Sequence, residues 1–114
     1  MNTLKNKVQL IGRLGAAPEV RTLQNGTKVA RMRLATNEYK RGANGEKTEI
    51  TQWHTLVAWG GEAEIAEKYL QKGAEILVEG KLQYRDYTDK AGVQRQSTEI
   101  EIAHLLMLDK KAVA

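Results

Sequence analysis

The stretch TQWHTLVAWGGEAEIAEKYLQKG, Thr51–Gly73, sets two periodicities side by side. From Thr51 to Trp59 the odd positions Thr51, Trp53, Thr55, Val57 and Trp59 share one face of an extended chain, and His54, Leu56 and Ala58 share the other, because successive strand side chains point to opposite sides. Gly60 and Gly61 break that strand. From Glu62 to Gly73 the spacing becomes helical: acidic residues load the first turns, Ala66 pairs with Leu70 and Ile65 with Tyr69 four residues apart, and Lys72 with Gly73 forms a stop. This is the one good helix of about three turns, so the fold is decided by the strands around it.

Upstream, KVQLIGRL (Lys7–Leu14) is a strand-like run ended by GAAP, where Gly15 and Pro18 interrupt any ladder. Glu19 to Leu23 joins Thr27 to Thr36 through Asn25-Gly26, a strong hairpin signal because a type I′ turn needs positive φ at both central positions. In Thr27–Thr36, Ala30, Met32 and Leu34 form a packing face, whereas Val29, Arg31 and Arg33 form a wetter, positive one. NEYKRGANGEK (Asn37–Lys47) reads as a polar, glycine-containing loop with one tyrosine, Tyr39. Downstream, Ala74–Tyr87 is strand-like, with Gly80 breaking the side-chain row as at a bulge or barrel bend. Asp89–Gly92 makes a turn, and Gln94–Leu108 alternates Thr98, Ile100 and Ile102 against Glu99 and Glu101. Tyr69 and Tyr84 are expected to pack, the first on the helix and the second among Ile76, Val78 and Leu82.

Five strands with one helix between the third and fourth predict an all-β, five-stranded Greek-key barrel of OB-fold type, because closure removes the edges that a flat sheet would expose. An antiparallel sheet packed on one helix is the structural alternative. The length of 114 residues suits one domain over 1–114. Cysteine is absent, which removes disulfides and thiolate chemistry and fits a reducing compartment. No apolar run is long enough to cross a bilayer, and Met1 to Leu10 lacks the core of a secretory signal, so the sequence reads as cytoplasmic with no membrane partner.

The net charge of +4 is unevenly spread. Residues 1–41 hold nine Lys and Arg against two Glu, a balance of +7, and the remaining 73 residues balance at −3. Clustered cations of that kind suit a polyanion, because they release its condensed counterions.

NKVQLIGRLGAAPEVR, NGTKVARMRLATNE, TQWHTLVAWG, AEKYLQKGAEILVEGKL and YTDKAG, in this order between about Asn6 and Leu108, closely resemble the bacterial single-stranded DNA-binding proteins. The resemblance implies an OB-fold, a homotetramer, and wrapping of single-stranded DNA without strong sequence preference in replication, recombination and repair, with a cytoplasmic, nucleoid-associated location. It puts the stacking aromatics at Tyr39, Trp53, Trp59 and Tyr87, and a subunit contact at His54. Such binding needs charge along the phosphates and flat rings for bases. The candidate phosphate partners are Lys7, Arg21, Arg31, Arg33, Lys40, Arg41, Lys72 and Arg85. Arg31 and Arg33 stand out because period 2 places both on one face.

This sequence departs from the family where Tyr39 and Tyr87 replace tryptophan and Trp59 replaces phenylalanine; stacking survives these exchanges. Thr55, Gly61 and Asp86 stand where basic residues are common, which implies weaker, less salt-dependent binding. Relatives continue into a glycine-rich linker and an acidic tip that recruits replication and repair proteins. Those proteins remain candidate partners, but the acidic C-terminal tail is absent from a sequence ending in LDKKAVA. An alternative is an oligomeric OB-fold scaffold of a primosome or recombination complex. An enzyme is not expected, since Glu62, Glu64 and Glu67 serve the helix dipole. His54 and His104 form no metal-ligand spacing, so no metal or cofactor is expected.

Overall fold

The computed structural model describes residues 3–109. After a 3-10 turn at Thr3–Lys5, six strands follow in the order β1 (Val8–Leu14), β2 (Glu19–Thr22), β3 (Lys28–Arg41), β4 (Lys47–Trp59), β5 (Glu75–Thr88) and β6 (Gln94–Met107), with α1 (Gly61–Tyr69) between β4 and β5. The sheet order is β1-β5-β6-β4-β3-β2, and β1 also pairs with β3 at Arg13↔Ala35 and Leu14↔Leu34. That last pairing closes β1, β5, β6, β4 and β3 into the expected five-stranded barrel. The short β2 is an added edge on β3, and counting it moves the helix from between the third and fourth strands to between the fourth and fifth.

Closure works because one side of each barrel strand is apolar. Leu34, Leu56, Ile76 and Val78 are fully buried, with Leu14, Ala30, Met32, Ile100 and Ile102 around them. Ala63, Ala66 and Leu70 of α1 join the same core. Acidic Glu62 and Glu64 in the first turn of α1 match its dipole, and Lys28 of β3 bonds Glu67 across the gap. Gly80 marks the bend anticipated in β5: the β5–β6 register shifts between Glu79 and Gly80, and a Cβ at Gly80 would lie 2.0 Å from the Glu101 carbonyl oxygen. No side chain fits there.

Three expectations need correction. The presumed loop Asn37–Lys47 is mostly strand, since β3 and β4 stay paired out to Arg41↔Lys47 and the turn is only residues 42–46. Both faces of that outer segment are polar because it projects beyond the core, which erased the alternation that signals a strand. Tyr84, expected to pack, is 63% exposed, because it lies in the outer part of β5 beyond Gly80, where none of the described residues buries its side of the strand. Tyr69 is likewise exposed at the end of α1, on the rim of a cleft with Arg13, Lys72 and Met107. The KKAVA end lies outside the described residues.

Candidate nucleic-acid interface

Register, more than sequence distance, assembles the site. Ala35 faces Trp53, Arg33 faces Thr55 and Arg31 faces Val57 across β3 and β4. Thr55 pairs with Glu99 across β4 and β6, and Glu99 with Gln83 across β6 and β5. Paired residues point to the same side of a sheet. The odd-numbered side chains from Val29 to Arg41, Lys47 to Trp59, Lys81 to Tyr87 and Arg95 to Glu101 therefore form one continuous outward surface. Tyr39, Trp53, Trp59 and Tyr87 all lie on it.

All four rings are open to solvent, Trp53 at 51% and Trp59 at 45% exposure, although neither is on a loop. Three carry a cation. Arg33 lies over Trp53 at 5.4 Å from the ring centroid, Lys47 over Tyr39 at 5.0 Å, and Arg85 over Tyr87 at 5.3 Å. Each pair puts a π surface beside a positive charge. Trp53 also rests against Gly15, where a Cβ would come within 2.5 Å of its ring. Gly15 was legible only as a strand breaker; its second role, making room for the indole, depends on a contact between the residue after β1 and β4 that no local pattern encodes.

The predicted phosphate partners divide. Arg21 shares a cross-strand row with Val29 and Trp59, and Arg33 and Arg41 lie on the odd-numbered surface. Arg31 and Arg85 lie there too, but both are bound to Glu99. Lys40 projects from the reverse side of the β3–β4 arm, Lys7 is paired with Glu79 at 3.3 Å, and Lys72 borders the cleft beyond α1. Sequence reading missed Lys47 and Arg95; Arg95 stands opposite Tyr87 and donates to Asp89 at 2.8 Å. A shallow cleft of about 340 Å³ lies between the β1–β2 turn and Arg31, Arg33 and Thr55.

Glu99 is the other residue the sequence concealed. Alternation placed it on the polar side of β6, yet it is 1% exposed. Burial pushes its carboxyl pKa upward, but hydrogen bonds from Arg31 and Arg85, the charge of Arg31 and a bond from Ser97 outweigh that and hold it below the ordinary carboxylate value. His54 lies on the opposite side of β4 from the tryptophans, as its parity requires. It is half-buried, its Nε2 is 2.9 Å from the Thr36 hydroxyl, and desolvation lowers its pKa. Among the described residues no group of three or more His, Asp or Glu side chains could hold a metal ion, and no helix is long and apolar enough to cross a membrane.

Comparison with known proteins places this surface in context. Residues 5–108 match the Single-strand binding protein family. The chain is 47% identical over 107 residues to single-stranded DNA-binding protein 1 of Xylella fastidiosa, covering 93% of this chain and 79% of that one. Its fold superposes on a Plasmodium falciparum SSB in complex with ssDNA with a TM-score of 0.84 at 37% identity, covering 91% of this chain and 95% of that one. A deletion mutant of the single-stranded DNA binding protein from Thermus aquaticus gives a TM-score of 0.80 at 27% identity, covering 93% of this chain and 51% of the other.

Proposed function

The chain belongs to the single-strand binding protein family, and we propose that it binds single-stranded DNA without regard to base sequence, laying the strand along the odd-numbered surface of β3, β4, β5 and β6. The observation that carries this reading is the placement of Tyr39, Trp53, Trp59 and Tyr87 on one sheet face, three of them with a cation against the ring. Every base has a π face, so stacking accepts any sequence, and the adjoining cations follow the phosphates. Trp53 and Trp59 are six residues apart on one strand, roughly 20 Å at about 3.3 Å per residue, so they serve different nucleotides.

Arg21, Arg33 and Arg41 are the phosphate partners best placed for that path, with Arg31 and Arg85 beside it. Lys7, Lys40 and Lys72 would meet only a strand that continues around the protein. The family is non-catalytic, and binding without catalysis is the activity proposed here. Residues 1–114 act as one DNA-binding domain in this reading, the protein works as a homotetramer in the cytoplasm at the nucleoid, and half-buried His54 lies near a subunit contact.

The test is a titration with oligo-dT, followed by tryptophan fluorescence. Quenching at low salt, with a duplex of equal length binding far more weakly, is the expected result. Equal affinity for both, or no change in fluorescence, contradicts the reading.

A further inference from the structure

Glu99 sits at the middle of the outward surface and takes its partners from both sides. Arg31 Nη2 donates at 2.7 Å, Arg85 Nε at 3.1 Å and the Ser97 hydroxyl at 3.2 Å, all to the same oxygen, Oε2. Arg31 is on β3 and Arg85 on β5, the outer members of the run β5-β6-β4-β3. Arg85 reaches Glu99 from the neighbouring strand, and Arg31 reaches it across β4. Two cations so close repel unless an anion lies between them, and Glu99 is that anion.

The arrangement divides the arginines of the site into two kinds. Among the described residues Arg33 has the Trp53 ring against it and no carboxylate partner, so its charge is open to a phosphate. Arg31 and Arg85 already have a charged partner, yet their side chains keep 39% and 48% of their exposure. Glu99 takes one nitrogen of each, Arg31 Nη2 and Arg85 Nε, so a DNA phosphate can reach the other guanidinium donors, but it meets cations whose charge the carboxylate already offsets. A carboxylate and a phosphate are both anionic acceptors for guanidinium, so Glu99 and a phosphate compete for the same two positive charges.

We propose that Glu99 is a built-in competitor of the DNA phosphates. By holding Arg31 and Arg85, it lowers the charge that the surface offers and sets how tightly, and with what salt dependence, a single strand is held. Glu99 touches no nucleotide in this account and acts as a positioning residue through the two arginines. The proposal rests on the function proposed above.

Glu99→Gln removes the charge while keeping the shape and one acceptor oxygen, and the half-exposed arginines can turn to water. The experiment measures oligo-dT affinity over a series of salt concentrations for the wild type, Glu99→Gln, Arg31→Gln, Arg33→Gln and the double variant of Glu99 and Arg31, each checked by circular dichroism. Glu99→Gln is expected to bind more tightly at every salt concentration, with the slope of log K against log salt steeper by roughly 0.7 to 1.4, equivalent to one or two more neutralised phosphates on a single strand. Adding Arg31→Gln should cancel part of that gain. In the wild-type background Arg31→Gln should flatten the slope less than Arg33→Gln does. An unchanged slope or weaker binding in folded Glu99→Gln overturns the proposal. So does Arg31→Gln flattening the slope as much as Arg33→Gln, a comparison that holds even where Glu99→Gln fails to fold. A wild type that binds no oligo-dT at any salt concentration overturns the function itself, and that outcome is distinct from a binding wild type whose Glu99→Gln variant gains nothing.

Discussion

At Glu99 a buried charge is stable only because two arginines, 68 and 14 residues distant, converge on it. No window of sequence contains that triad. Period 2 puts Glu99 on the polar side of β6, which is correct, but alternation alone does not show that the side chain is covered there, at 1% exposure. The held carboxylate also fixes a sign. Its folded pKa lies below the ordinary 4.5, so its contribution to stability is complete above that pH and is lost as the pH falls through the lower folded value. Asp89 and His54, also shifted downward, add losses of the same direction on acidification, so the informative quantity is a difference between proteins. Denaturant unfolding at neutral pH and near pH 3 should show the wild type losing more stability than Glu99→Gln. Equal losses would mean that the carboxylate is not held by its partners.

Within one element, β4 does two jobs by parity alone. Its odd side carries Trp53 and Trp59 to solvent, while Leu56 and Ala58 are fully buried on its even side. The two jobs should separate on substitution. Trp53→Ala is expected to weaken oligo-dT binding by roughly 1 to 3 kcal/mol with little change in unfolding free energy. Leu56→Ala is expected to destabilise the fold by about 2 to 5 kcal/mol, with binding by the folded fraction preserved. Loss of both properties in either variant would contradict the division. This part of the molecule was legible because TQWHTLVAWGG alternates cleanly and ends in a glycine pair. The arm of β3 and β4 beyond it was not legible. Asn37 to Lys47 alternates polar with polar, since neither side meets a core, and only pairing such as Tyr39↔Glu49 reveals the ladder.

In the whole molecule, element order was enough to propose the barrel, whereas the site depended on register between strands that the chain visits far apart. Arg31 and Arg85 could be named as basic residues from sequence, but their meeting across β4 and β6 could not. The same register makes one prediction for the surface: the exposed odd-numbered residues of the four strands are expected to meet DNA, and the even-numbered ones on the same arms are not. Tyr84 and Tyr69, exposed but off that surface, are internal controls. The direct test is an NMR titration of the protein with oligo-dT, following the indole N–H signals of Trp53 and Trp59 and the ring signals of every tyrosine. Shifts at Trp53, Trp59, Tyr39 and Tyr87, with Tyr69 and Tyr84 unmoved, are the expected outcome. Shifts concentrated at Tyr69 and Tyr84, with the two indoles unmoved, would contradict the account.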